Sequence, residues 1–140
     1  MYSKDMIIGI LLSIAKMKLN ISVNDRSSIG YEVRLSLVIR GDETFLRAIQ
    51  RDFLMYYNIT CSLKLKESKT RPRPILTVGG IRNLEKITDI VPKNLPSFDS
   101  KWEDFTACVA VIKNKKHKTL DGLESLMKIK GYLNGINQYE

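Results

Sequence analysis

The sequence predicts an α+β fold with one four-stranded antiparallel sheet packed on helices, in the order α-β-β-α-β-β-α-α-α. Three observations predict it. A ten-residue apolar run, Met6 to Ala15, stands near the start of the chain. Two stretches of period-two alternation follow it directly, and helical stripes separated by turn clusters divide the remainder. A length of 140 residues accommodates one ordinary domain, 1–140, and is short for two.

The apolar run has about half the ~20 residues that a membrane span requires. It has the length of a signal-peptide core, and Ser13-Ile14-Ala15 has the small residues of a cleavage site. Met1 still precedes it, so a buried helix from Lys4 to about Ala15 is expected. Gly9 and Ser13 share one face of that helix. Small residues at this spacing admit close approach of a second backbone, whether the chain's own sheet or another helix.

From Lys16 to Asn24 the polar residues Lys16, Lys18, Asn20, Ser22 and Asn24 alternate with Met17, Leu19, Ile21 and Val23. This is the pattern of a half-buried strand. Residues 24–30 supply turn chemistry. A second strand, Tyr31 to Arg40, turns Tyr31, Val33, Leu35, Leu37 and Ile39 inward and Glu32, Arg34, Ser36 and Arg40 outward. Asp42 or Thr44 can cap a helix from about Glu43 to Tyr57, striped by Phe45, Leu46, Ile49, Phe53 and Leu54. A third strand is expected from Ile59 to Lys66, with Cys61, Leu63 and Leu65 inward and Lys64 and Lys66 outward. After a loop at 67–70, Arg71-Pro72-Arg73-Pro74 leads into a fourth strand ending near Val78, and its two prolines predict a sheet edge. Gly79-Gly80 breaks the chain before a helix from Ile81 to Ile90 and a loop over Pro92–Pro96. Helices from Ser100 to about Lys113 and from Thr119 to about Leu133 complete the order.

Composition narrows the function. Twenty-three basic side chains against fifteen acidic ones give a net charge of +8. Such a chain attracts polyanions, nucleic acid before an anionic membrane. Two cysteines and one histidine exclude a disulfide scaffold and a Cys/His zinc site. Cys61 and Cys108 both fall at core positions. No pair of acids has the spacing of a metal cage, and no cofactor is expected. His117 lies in a basic link, where it suits a helix start or a phosphate contact.

The outward strand positions sharpen this. They hold Lys16, Lys18, Arg34, Arg40, Lys64, Lys66, Arg71 and Arg73, with Asn20, Ser22, Asn24, Ser36 and Thr77 between them, and only one acid, Glu32. Solvated sheet faces ordinarily mix both signs, because like charges opposite one another are unfavourable. A polyanion relieves that repulsion. Lys and Arg would meet phosphates, and the Asn, Ser and Thr side chains would reach base edges. Large apolar residues that would insert into a membrane are missing from these positions.

The string Ile7-Ile8-Gly9-Ile10-Leu11-Leu12-Ser13-Ile14-Ala15, directly before the first alternating strand, occupies the place of the name motif of the LAGLIDADG homing endonucleases. The tail Lys113-Asn114-Lys115-Lys116-His117-Lys118-Thr119-Leu120-Asp121-Gly122-Leu123, then Lys130 and Asn134, resembles the "K-x-H-x-T-x-x-G-L" and "K-x-x-x-N" ending of that family. Asp99 to Phe105 resembles the lead-in to the preceding helix. The resemblance spans nearly the whole chain. It implies a saddle-shaped sheet that sits on nucleic acid, with Lys115, Lys116 and Lys118 added to the contact surface. It also implies a divalent metal held by motif aspartates that activates water against a phosphodiester. Here those two positions are Leu12 and Ile14, which have no oxygen to offer a metal. Glu43 is the one nearby acid, and it has no evident partner in the sequence.

The sequence therefore predicts a catalytically inactive LAGLIDADG-fold protein that binds nucleic acid, structured RNA in preference to DNA. It would be maturase-like or a domesticated ribonucleoprotein or mitochondrial-ribosome component. The alternatives are a homodimeric homing endonuclease cutting double-stranded DNA and a protein-interaction module. A single motif-like helix implies a homodimer or a larger ribonucleoprotein assembly joined through Gly9 and Ser13. Sixteen Ile, fifteen Lys and eight Asn fit an AT-rich coding genome such as a mitochondrial one.

Overall fold

A computed structural model describes residues 2–92 and 101–134. The elements are α1 (Lys4–Ser13), β1 (Lys16–Val23), β2 (Tyr31–Arg40), α2 (Glu43–Tyr57), β3 (Ser62–Lys64), β4 (Ile75–Gly79), α3 (Ile81–Ile90), α4 (Lys101–Lys113) and α5 (Leu120–Asn134). The strands form one sheet in the order β1-β2-β4-β3. The expected element order and antiparallel α+β architecture are both present. Pro96, Asp99 and Ser100, where a loop and a helix start were expected, lie outside the described residues.

The chain forms two compact units: Met1–Lys18 with Ser36–Phe98, and Leu19–Leu35 with Asp99–Glu140. In the first, α1 begins where the Ser3 side chain accepts a hydrogen bond from the Met6 amide. Of its apolar residues only Ile7 and Leu11 are buried, while Met6, Gly9, Ser13 and Ile14 are exposed. The expectation of a wholly buried helix is corrected: one face is covered and one is open. The α2 stripe buries Leu46, Ile49 and Phe53, and Asn58 ends the helix in the left-handed conformation. Leu54, expected on that stripe, is 53% exposed. Each fully buried Leu, Ile or Phe removes enough apolar surface to contribute about 1.5–3 kcal/mol.

The two strands in the middle of the sheet explain a second correction. In β4, which pairs with β2 on one side and β3 on the other, Ile75, Leu76 and Val78 are all buried. The proline pair predicted an edge strand, yet β4 is internal. Pro72 and Pro74 precede Ile75, where the ladder begins, so no ladder N–H is lost to them. The edge on that side is β3, far shorter than the expected Ile59–Lys66 strand. Between Asn58 and β3 the backbone bonds to side chains instead: Asn83 Oδ1 accepts from the Thr60 amide, and Gln50 Nε2 donates to the Cys61 carbonyl. Leu65, expected inward, is 49% exposed beyond the end of the ladder.

In the second unit, Leu19, Leu35, Phe105, Cys108, Val109, Leu123 and Leu126 are buried. Trp102 lies against Phe105 with ring centroids 5.2 Å apart. Lys130 of α5 donates from Nζ to the Leu19 carbonyl at 2.9 Å. Two residues expected inward, Val23 and Tyr31, flank the loop between β1 and β2 and are exposed.

Candidate nucleic-acid interface

In the first unit the basic side chains gather around one acid. Arg40 donates to Glu67 through two nitrogens, at 2.7 and 2.9 Å. These hydrogen bonds hold the Glu67 carboxyl below its ordinary range, and the charges of Arg40, Arg71 and Lys18 act in the same direction. Glu67 also fixes the loop after β3. Its amide donates to the Arg73 carbonyl, and the Ser68 amide donates to the Arg71 carbonyl. Ser68 Oγ accepts from the Arg71 amide in turn. The loop thus presents Arg71 and Arg73 as exposed side chains on a closed backbone, with exposed Lys64 and Lys66 just before it. Arg40, expected as a free outward contact, has its guanidinium committed to Glu67.

Register settles which residues share a face. Arg40 stands opposite Ile75, and Ile75 opposite Lys64; Val38 stands opposite Thr77, and Thr77 opposite Ser62. Directly opposed residues lie on the same face. Arg40, Lys64, Ser62 and Thr77 are therefore co-facial, together with buried Val38 and Ile75. Long basic side chains cover neighbouring apolar surface with their stems, and Arg40 and Lys64 flank Ile75 on this face. Ser36 lies on it too, opposite Gly79. Lys16 and Lys18 are exposed on β1.

The second unit holds its own polar set. Asn20, Ser22 and Arg34 are exposed, and Arg34 forms an ion pair with Glu32 at 3.3 Å. The Asn24–Gly30 loop closes on itself: the Asn24 amide donates to the Gly30 carbonyl, and Asn24 Oδ1 accepts from the Arg26 amide. After α4, Lys115 takes a left-handed conformation and leads into a 3-10 turn over Lys116–Lys118. Lys115, Lys116 and Lys118 are exposed around it. Thr119 then opens α5, accepting at Oγ1 from the Gly122 amide at 3.1 Å and donating to the Lys116 carbonyl at 2.6 Å. His117 has a buried Nδ1 with no hydrogen-bond partner among the described residues. Burial, and then the charge of Lys118, push its pKa down.

A cleft of about 420 Å³ lies in this unit, lined by residues that include Asn24, Ser28, Tyr31, Glu32 and His117. Sequence reasoning missed it, because Tyr31 reads as a core residue of an alternating strand. It also missed Asp52, buried among the apolar residues of α2. Asp52 accepts from the Tyr2 amide at 2.7 Å and from Arg51 Nε at 3.3 Å. An acid interrupting the apolar stripe between Ile49 and Phe53 was the available signal.

Burial pushes the thiols of Cys61 and Cys108 up to about 12. Glu43 is exposed and bound to Arg47 Nε at 2.7 Å. Among the described residues no three His, Cys, Asp or Glu side chains form a group able to hold a metal ion. Leu12 is half-buried and Ile14 caps the C-terminal end of α1, 40% exposed. No helix among the described residues is long and apolar enough to cross a membrane.

Neither a protein-family profile nor a curated relative matches the sequence. Solved structures do. The homing endonuclease I-TnaI superposes with a TM-score of 0.75 at 16% identity, over 94% of this chain and 87% of that one. The I-LtrWI LAGLIDADG homing endonuclease bound to target DNA gives 0.73 at 20% identity, over 98% of this chain. The LAGLIDADG meganuclease I-CpaMI bound to uncleaved DNA gives 0.74 at 21%, over 94% of this chain.

The chain has the LAGLIDADG homing-endonuclease fold.

It spans about half the length of the I-LtrWI and I-CpaMI chains, 45% of each, and most of the I-TnaI chain. The apolar run that resembles the name motif forms α1, directly before β1, and the string that resembles the family's tail forms the turn at Lys116–Lys118 and the cap at Thr119.

Proposed function

We propose that this chain is a nucleic-acid-binding LAGLIDADG-fold protein that does not cleave its ligand and favours structured RNA. The observation that carries the reading is a contrast within one chain. The strand positions and the tail turn keep basic side chains, whereas the motif positions that would hold metal are Leu12 and Ile14. A saddle without its acids retains polyanion binding and loses the means to activate water. Glu43, already paired with Arg47, is one exposed carboxylate and a poor cage for a cation that dehydrates reluctantly.

The open face of α1, with Gly9 and Ser13 exposed beside Met6, supports assembly through that helix, as a homodimer or within a ribonucleoprotein. A maturase-like role or a place in a mitochondrial ribosome suits an Ile-, Lys- and Asn-rich basic chain without motif acids.

The second reading is a homodimeric endonuclease cutting double-stranded DNA. It is favoured by the structural neighbours, since I-LtrWI and I-CpaMI are both described as bound to DNA.

The test is to purify the chain, record its absorbance ratio at 260 and 280 nm, and digest any co-purifying nucleic acid separately with RNase and DNase. An elevated ratio abolished by RNase supports the proposal. A ratio of protein alone, or one abolished only by DNase, contradicts the RNA preference.

A further inference from the structure

The cleft of the second unit has features that phosphate contacts on the strands do not explain. Its lining includes Asn24, Arg26, Ser27 and Ser28 of the Asn24–Gly30 loop, which is closed by the Ser27 amide on the Asn24 carbonyl and the Gly30 amide on the Ser27 carbonyl. Its volume, about 420 Å³, lies in the range of about 300–1,000 Å³ typical of small-molecule sites and exceeds what a lone phosphate fills.

Three kinds of group line it. Arg26 and Lys118 supply positive charge. Asn24, Ser28 and Glu32 supply donors and acceptors, and Glu32 is the one acid among the outward strand positions. Tyr31, whose residue is 42% exposed, supplies an aromatic face. A carboxylate is misplaced in a pocket for phosphate alone; beyond the Oε1 that Arg34 holds, Glu32 offers an acceptor for amino and imino N–H groups on a base edge. The His117 ring completes the lining beside Lys118.

We propose that this cleft holds one unpaired nucleotide of the bound nucleic acid. The base stacks on Tyr31, its edge meets Glu32 and Asn24, and its phosphate faces Arg26 and Lys118. Bulged and looped RNAs offer such a nucleotide already unstacked, whereas a fully paired helix must first be opened. The inference rests on the nucleic-acid reading above and deepens it, by naming what part of the ligand this unit selects.

The experiment compares wild-type binding, by fluorescence anisotropy, to RNA hairpins identical but for one unpaired A, C, G or U, an abasic bulge, or no bulge. At least one base-bearing bulge should bind about tenfold tighter than the paired and abasic hairpins, the scale of one base–aromatic stack. Tyr31→Ala should reduce that preference and leave the paired hairpin's affinity unchanged. Tyr31→Phe should retain it. A parallel titration with the four nucleoside monophosphates, followed through the His117 ring signals by NMR, separates an extruded nucleotide from a free one. Equal affinity for bulged and paired hairpins overturns the cleft assignment while leaving strand-face binding standing. A preference that survives Tyr31→Ala also overturns it, as does monophosphate binding without a bulge preference. Binding to none of the RNAs overturns both readings together.

Discussion

Gly122 lies directly against the carbonyl of Lys116: a Cβ added at Gly122 would overlap that oxygen. This close approach gives the tail motif a physical meaning. The first turn of α5 is seated on the 3-10 turn that presents Lys116 and His117, and only a residue without a side chain permits it. Thr119 pins the same junction, bonding both the Lys116 carbonyl and the Gly122 amide. The glycine therefore sets where the basic turn stands.

Gly122→Ala should destabilise the protein by about 1–3 kcal/mol, the usual cost of overpacking a site that cannot relax freely. Thermal unfolding of the two proteins checks it. Unchanged stability would show that the turn and α5 can separate at little cost.

Several elements were legible in the sequence because local signals agreed with tertiary ones. The α2 span Glu43–Tyr57 follows from a helical stripe with Asp42 before it, and α3 follows from the Gly79-Gly80 break. What was not legible depended on partners remote in sequence. Alternation around Cys61 reads as strand, but Gln50 and Asn83 take the backbone groups that a strand would have used. Arg40 reads as an outward cation, and only the fold brings Glu67, twenty-seven residues away, to its guanidinium. Tyr31 reads as core because alternation does not say where the covering layer stops. Lys16, Lys18, Arg34 and Lys64 stand exposed on strands as the alternation predicts, whereas Lys66, Arg71 and Arg73 fall outside β3 and β4. The cleft at His117 was not legible, since it needs the loop after β1 and the turn after α4 together.

The Arg40–Glu67 pair predicts an acid sensitivity. The Glu67 carboxyl is held below its ordinary value of 4.5, so the stability it contributes is present above that value and is lost as pH falls through the lowered one. Glu67→Gln should therefore be less stable than wild type at neutral pH. The gap between the two should close as the solution is acidified below about 4.5. Melting curves from pH 7 to pH 3 measure this, and a gap independent of pH would remove the pair from the stability account.

Replacing Lys64, Lys66, Arg71 and Arg73 together by Ala should weaken binding and flatten its dependence on salt. The slope of log affinity against log salt should fall by roughly 0.7–0.9 for each phosphate that the variant no longer neutralises. An unaltered slope would place the interface away from β3 and the loop that follows it.

At Gly9, the tight approach expected from the small-residue spacing is absent within the chain: an added Cβ meets nothing within 4 Å among the described residues. The Ser13 hydroxyl is turned back onto the Gly9 carbonyl. Gly9→Leu should therefore leave the melting temperature of the isolated chain nearly unchanged and shift only its assembly. Sedimentation velocity at several concentrations distinguishes the outcomes. A variant that sediments as wild type does would exclude α1 as the assembly face.

The most direct test of binding without cleavage is a single competition assay in Mg²⁺ or Mn²⁺. End-labelled structured RNA is bound to the protein and challenged with labelled duplex DNA from a randomised library, and all products are resolved on a denaturing gel. The account predicts that RNA stays bound against a mass excess of DNA and that both nucleic acids stay full length. DNA that displaces the RNA, or cut DNA ends that disappear with EDTA and in Glu43→Gln, would contradict it and establish the endonuclease reading in its place.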